Sequence, residues 1–535
     1  MAETKLAPDA KPLGAQISHM LKDRGVDVIF GIPGVHNQEM YRGIEEAGIT
    51  HVLARHEQGA GFMADGYARA SGKPGVAYVI TGPGVCNIMT PMGQAYSDSV
   101  PMLVISSCLD EVAARRGQLH QMKEQQTAAA TVCDWSEEAR TAEAAYGLID
   151  RAFTEFTSAR PRSKHIQVPI AQLEATANPA PAKLAAVQAT GYRPADVTQL
   201  VKKLADAQKP LFVFGGGAAQ AWEAARQVIS ACGAASMSSY AGRGIIQGDA
   251  PLNYGACLAR GDSATVLAEA DLVIAIGTEL AEVDLWRPDL GHDGDLVRID
   301  LDPEVLSDPQ RASHPMQAEA GAFLKALAAE FPEGRGKTGW QADKVAATRA
   351  RWRAETDAER PGIVPICDAL REVIPPDTMI YSDMTQFAYV AKEVWDMDRP
   401  GHWHHPYGFG TLGYATPAAI GGAVARQGKQ TMAIIGDYGF HYTMQELGVA
   451  VELGLSLPII LWDNGKLGEI EDSMVRAQIA PNAVVARNPD FVKLAEAFGA
   501  RAVAPADLAQ MQEAVTKAFA ADGPTLIYLT PAILE

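Results

Sequence analysis

The feature that most constrains this chain is a recurring kind of strand: short, apolar on both faces, and closed by a glycine-bearing turn. "GVAYVITGPG" (75–84) and "QTMAIIGD" (430–437) are two examples. A strand without polar alternation has to be covered on both sides. Alternating such strands with amphipathic segments builds a parallel sheet between helices. The first third adds "DVIFGIPG" (27–34), "HVLAR" (51–55) and "PMLVISS" (101–107), with "QGAGFMADGYARASG" as a helix among them. The middle adds "PLFVFGGGA" (210–218), "LVIAIGTEL" (272–280) and "LVRIDLDP" (296–303). The last third adds "TMIYSD" (378–383), "PIILWDN" (458–464) and "TLIYLT" (525–530). The expected class is α/β, doubly wound, with mostly parallel sheets.

A chain of 535 residues is too long for one core. An Ala/Pro-rich stretch at 168–196 and a polar one at 332–362 read as linkers. Three domains are therefore expected, at 1–180, 190–335 and 360–535. "GYARASGKPGVAYVITGPG" (66–84) and "GGAVARQGKQTMAIIGDYG" (421–439) echo each other as helix end, Gly-Lys, apolar strand and Gly-rich turn. The echo suggests that the first and third units are related, and chance is the rival reading.

A net charge of −18 argues against nucleic acid and anionic membranes as partners. The six cysteines form no CxxC pair, which suits reduced residues in a cytoplasmic protein. No apolar run approaches the roughly 20 residues that cross a bilayer.

Chemistry is expected at the turns, because open α/β sheets bind ligands at the carboxyl ends of their strands. Asp437 sits at one such end, between Gly436 and Gly439. The helix behind it offers free N–H groups that suit phosphate, and an Asp there can hold Mg²⁺. Asn464 ends the next strand, so the two could share one cation; a capping Asp and a turn Asn are the plainer reading. Glu57 follows a strand and opens a helix. It is either a first-turn carboxylate favouring the helix dipole or a group poised for proton transfer. His36, Asn37 and Asn87 lie in Gly-Pro turns, as pocket lining or as ordinary turn residues. "FVFGGGAAQAW" reads as a turn, with nucleotide binding the lesser option.

Taken together these stretches resemble the thiamine-diphosphate enzymes of the acetolactate synthase and pyruvate decarboxylase superfamily. "GIPG", "ARHEQGAGFMADGYARASGKPGV", "TGPG" and "DSVPMLVIS" match its pyrimidine-binding domain, and "FGTLGYATPAAIGGAVA" opens its diphosphate-binding segment. The Gly-Asp-x-Gly turn with Asn464 beyond it matches its metal-diphosphate motif. The resemblance implies thiamine diphosphate and Mg²⁺ as cofactors. Asp437, Asn464 and the Lys466 carbonyl would be the metal ligands, and Glu57 the carboxylate that meets the aminopyrimidine. Leu412 would lie under the bent cofactor, beside Gly410 and Thr411. Gln386, Gly436, Tyr438, Gly439 and Leu467 would border the diphosphate, and Pro33, Gly34 and Asn87 the other end. It further implies a homodimer or homotetramer with active sites at the subunit interface, Glu57 coming from one subunit and Asp437 from its partner. FAD or another nucleotide in the central domain belongs to the family's range, but no residue here demands it.

The likeness is nearest to the 5-guanidino-2-oxopentanoate decarboxylase group, through "FGIPGVHNQEMYRGI", "MGQAYSDSVPMLVISS" and "SARPRSKHIQVPI". It implies non-oxidative decarboxylation of a 2-oxo acid. Glu469, with Glu471 and Asp472, could meet a cationic tail, or be a solvated acidic helix start. His120, Gln121, His36 and Asn37 fall on the substrate side. Two residues depart from the family pattern: Tyr438 stands where Gly is usual, and Asp463 where Asn is usual. Carboligation is the rival activity, and a cofactor-binding protein with little turnover the rival of another class.

Overall fold

The computed structural model describes residues 6–534 apart from 112–115, 184, 186, 188–190 and 332–338. Parts of both expected linkers therefore lie outside the described residues. Among the described residues three large sheets carry the fold, beside a two-stranded antiparallel one of Lys11–Pro12 with Thr176–Ala177. The first holds β1 (Val28–Gly31), β2 (Thr50–Leu53), β3 (Gly75–Val79), β4 (Met102–Cys108), β5 (Trp135–Glu138) and β6 (Lys164–Pro169), in the order β2-β1-β3-β4-β6-β5. The middle one holds β7 (Pro210–Phe214), β8 (Ala235–Ser238), β9 (Leu272–Ile276), β10 (Asp295–Asp300) and β11 (His314–Gln317), in the order β8-β7-β9-β10-β11. The third holds β12 (Met379–Ser382), β13 (Trp403–His404), β14 (Thr431–Gly436), β15 (Pro458–Trp462), β16 (Arg501–Val503) and β17 (Thr525–Leu529), in the order β13-β12-β14-β15-β17-β16. All pairings in these three large sheets are parallel, as the doubly wound expectation requires.

Counted along the chain, the first and third sheets have one topology, 2-1-3-4-6-5. The internal echo is thus a repeat of architecture. Six helices carry or brace the candidate residues: α1 (Glu57–Ser71), α2 (Pro83–Ser97), α3 (Ala342–Glu359), α4 (Ala415–Ala425), α5 (Asp437–Thr443) and α6 (Gly468–Arg476). α1 starts where the His56 side chain accepts the Gln58 N–H, and stops at Gly72 with φ 69°.

α1 and α4 occupy matching places before β3 and β14, and they pack on each other. A Cβ on Gly66 would overlap the Ala418 backbone, and one on Gly421 the Met63 backbone. This crossing merges the two units into one apolar core, with Phe62, Met63 and Tyr67 against Tyr414, Ala418 and Ile420. Phe62 and Tyr414 meet edge to face, centroids 5.5 Å apart. Two tyrosine hydroxyls inside are paired. Tyr414 donates to Asp65 at 2.7 Å, and Tyr381 donates to the Gly66 carbonyl at 2.7 Å.

Three sequence expectations need correction. The strands β5, β6, β8, β11, β13 and β16 lie outside the sequence expectations, and the β6 run "KHIQVP" looks too polar for a buried strand. Its buried Lys164 is paired with Asp134 and Glu155, and its buried His165 lies between Ser106 and Ser136. Polar residues can be fully buried when every donor is matched. The described part of the polar segment 332–362 is mostly the helix α3, which buries Trp352, whose indole donates to Asp262 at 2.6 Å. The helix expected after Gly439 is broken, with α5 giving way to a 3-10 turn at Met444–Glu446 and then to a helix at Leu447–Glu452.

Candidate active site

One group of residues gathers at the carboxyl ends of β1, β2 and β3. Glu57 opens α1 just beyond β2, is buried, and accepts a hydrogen bond from Asn87 of α2 at 2.9 Å. Gly84 lies beside it, where a Cβ would touch the Glu57 carboxyl oxygen at 3.4 Å and crowd Ile80 at 2.9 Å. Pro33 and Gly34 follow β1, Pro33 exposed and Gly34 half-buried. Asn37 is fully buried and closes its own turn, accepting the Gly34 N–H at 2.7 Å and donating to the Ile32 carbonyl at 3.3 Å. His36 and His120 come together, ring nitrogens 3.3 Å apart. Burial, and then the His120 ring, push the His36 imidazole below its usual value. Gln121 accepts the Gln118 N–H at 3.3 Å beside them.

A second group gathers at the ends of β14 and β15, which pair with Gly436 opposite Trp462. Asp437 is buried and begins α5. Asn488 bridges it to Asp463: its amide donates to Asp437 at 2.8 Å and to Asp463 at 2.9 Å. Asp463 also accepts from Tyr528 at 2.8 Å and from the Gly465 N–H at 2.8 Å. Burial, with the facing Asp463, pushes the Asp437 carboxyl above its usual value. Asn464 donates to Gln386 at 3.1 Å, and its carbonyl accepts the Lys466 N–H at 3.3 Å. Leu467 is tied back to Val484 by its N–H at 2.8 Å. Among the described residues, no group of three His, Cys, Asp or Glu is placed to hold a metal. A cation here would take a carboxylate, an amide oxygen and a main-chain carbonyl. That all-oxygen set suits Mg²⁺, and the two facing carboxylates suit a positive neighbour.

Tyr438 lies in the first turn of α5, half-buried, and is absent from the residues with positive φ. The strain that would weaken the turn is therefore not there. Gly439 is the position that needs glycine, since a Cβ would come within 2.8 Å of Asp383.

The turn before α4 carries Leu412, half-buried, between Gly410 at φ 66° and Gly413 at φ 85°. Thr411 donates to the Leu412 carbonyl at 3.2 Å. Asp383 anchors this turn, accepting N–H groups from Met384 at 2.7 Å and Gly413 at 2.9 Å. Burial pushes Asp383 up to about 7 despite these donors. On the far side, Gln386 donates to Asp472 at 3.2 Å, and Lys466 pairs with Glu471. Glu469 grips the Arg360 guanidinium with both oxygens, at 2.6 and 3.0 Å. Burial opposes its ionisation, but the Arg360 pairing holds it below the usual value.

Each group is compact, yet among the described residues no hydrogen bond joins Glu57 to Asp437, Asn464 or Leu412 in one chain. Sequence reasoning missed Asn488, Asp383 and Arg360. Asn488 and Arg360 lie far along the chain from the turns they serve. Asp383 ends "TMIYSD", and its place at a strand end was the one available signal.

Three family descriptions match the chain. "Thiamine pyrophosphate enzyme, N-terminal TPP binding domain" matches residues 12–128, the central domain of the same enzymes 197–327, and the C-terminal TPP binding domain 383–529. The "Probable 2-ketoarginine decarboxylase AruI" of Pseudomonas aeruginosa is 41% identical over 97% of this chain and 94% of its own length. The acetolactate synthase isozyme 2 large subunit of Escherichia coli is 28% identical over 98% of this chain and 96% of its own. The acetolactate synthase large subunit IlvB1 of Mycobacterium tuberculosis is 29% identical over 91% and 82%.

Proposed function

The chain belongs to the thiamine pyrophosphate enzyme family, and from that premise we propose that it removes CO₂ from a 2-oxo acid with a basic tail, using Mg²⁺. The observation that carries this reading is the pair of half-sites on two like sheets, Glu57 with Asn87 on one and Asp437 with Asn464 on the other. Asp437, Asn464 and the Lys466 carbonyl would hold Mg²⁺. Gln386, Gly436, Tyr438, Gly439 and Leu467 would border the diphosphate. Leu412, with Gly410 and Thr411, would pack against the cofactor, and Pro33, Gly34, Asn87 and Glu57 would border its aminopyrimidine.

Thiamine diphosphate, when bound, supplies the electron sink for the pair released with CO₂. Glu57 holds or releases a proton at the aminopyrimidine, and Asn87 keeps its carboxylate aimed. His36 and His120 stand at the same strand ends, where they can give or take a proton at the substrate. The working unit is a homodimer or homotetramer, the family arrangement, in which Glu57 of one copy faces Asp437 of another.

Both Glu469 oxygens are taken by the Arg360 guanidinium, so Glu469 meets a basic tail only by exchanging that partner for it. The name of the 41% identical relative from Pseudomonas aeruginosa supports the same substrate class. The six cysteines are free, which suits the cytoplasm.

The test offers the cofactor-loaded enzyme single 2-oxo acids with basic, acidic and apolar tails. An aldehyde with CO₂ from the basic acid supports the reading. A 2-hydroxy ketone or acetohydroxy acid would instead support carboligation, the activity named for two of the relatives. No thermal stabilisation by millimolar thiamine diphosphate and Mg²⁺ would overturn both. Glu469→Gln should raise KM at least tenfold for the basic acid and leave an apolar one within twofold.

A further inference from the structure

Glu446 closes the 3-10 turn beyond α5, and none of its surface reaches solvent. A carboxyl group so placed needs partners, because burial without them is costly. Its partners are backbone groups of the first unit. Its Oε2 accepts the Arg55 N–H at 3.0 Å, and the His56 N–H adds to it. Among the described residues its Oε1 has no hydrogen-bond partner. Gly59, in the first turn of α1, lies so close that a Cβ would overlap the Glu446 carboxyl. The charged groups facing it are the Arg55 guanidinium, itself paired with Glu452, and Glu57.

Arg55, His56 and Glu57 are consecutive. Glu446 therefore clamps the two residues ahead of Glu57, and Asn87 holds the carboxylate from the other side at 2.9 Å. A shift of one ångström in a reacting group can cost about a hundredfold in rate, so a clamp on its backbone has leverage. Asp437 and Asn464 have other partners and do not depend on it.

We propose that Glu446 is a positioning residue: accepting the backbone N–H groups ahead of α1, it sets where Glu57 points. This rests on the reading of Glu57 as the cofactor-facing carboxylate. It predicts a defect in what Glu57 does and little change in how tightly the cofactor is held.

The test uses the full-length protein loaded with thiamine diphosphate and Mg²⁺, and the variants Glu446→Ala, Glu446→Gln and Gly59→Ala. One readout is amide hydrogen exchange at Arg55 and His56. A second is exchange of the bound cofactor's C2 proton with D₂O, which needs no substrate. In Glu446→Ala, amide exchange at both residues should speed up at least tenfold. C2 exchange should slow at least tenfold, while cofactor Kd stays within threefold. Glu446→Gln keeps an acceptor oxygen and should recover most of the C2 rate.

Folded Glu446→Ala with C2 exchange within twofold of wild type would overturn the proposal. If that variant does not fold, Gly59→Ala decides. It displaces the carboxyl without deleting it, and an unchanged C2 rate there is equally fatal. Glu57→Gln with an undiminished C2 rate would remove the role of Glu57, and this inference with it. A wild type that exchanges the C2 proton but decarboxylates no 2-oxo acid refutes the proposed activity alone, since the variants' exchange rates still judge Glu446.

Discussion

Gly66 and Gly421 face each other's helices reciprocally: each lies where a Cβ would overlap the backbone of the opposite helix. They are also the matching positions of the internal echo. The first and third units are thus joined through the element they share, at its closest approach. Backbone cannot swing aside as a side chain can. Gly66→Ala and Gly421→Ala should each cost about 3 kcal/mol. Because the helices need separate only once, the double variant should lose less than the sum. Denaturant unfolding measures this, and a single-variant loss under about 0.5 kcal/mol would show that the crossing yields.

Tyr438 sits in a right-handed helical turn, so replacing it by glycine relieves nothing. Tyr438→Gly should cost about 0.5 kcal/mol of stability, the difference between the two helix propensities. Cofactor affinity should move less than threefold. A titration showing tenfold tighter binding would mean that the ring obstructs the site.

The apolar strands with glycine turns made the fold class legible, because a run such as "TMAIIG" permits few environments. What stayed hidden had a physical reason in each case. Lys164 and His165 are buried because partners distant in sequence match them, and a single strand shows no partners. Edge strands such as β13 and β16 are short and weakly patterned. In the site, Asp437, Asn464 and Glu57 stood out because they end strands. Asn488 did not, because its role exists only once two loops meet. Asn37 read as pocket lining or as an ordinary turn residue, and its amide closes the turn.

Asn488 keeps Asp437 and Asp463 tolerable to each other by donating to both. Asn488→Leu keeps the volume and deletes the donor. The cofactor-free chain should lose about 2 kcal/mol, the usual loss when hydrogen bonds to charged groups go. Mg²⁺ with thiamine diphosphate should then raise the variant's Tm more than the wild type's, since the cation takes over the screening. Equal shifts would mean that the cation binds elsewhere.

Lys392 is buried between the middle and third units, 4.2 Å from the Tyr240 ring centroid, with its amine 3.3 Å from His405. Burial, and then Arg243, push its pKa from 10.5 down to about 7, although Glu393 and Asp284 pull the other way. Between those two values the unfolded chain carries a proton that the folded chain lacks. Stability attributable to this group therefore rises with pH from about 7 to about 10, by about 5 kcal/mol at most. Lys392→Met removes the titration and keeps an unbranched chain of similar bulk. The variant should exceed the wild type in Tm most at pH 7, with the gap narrowing steadily towards pH 9.5. A gap that stays constant over that range would mean that Lys392 keeps its proton inside the fold, with Asp284 and Glu393 outweighing the cost of burial.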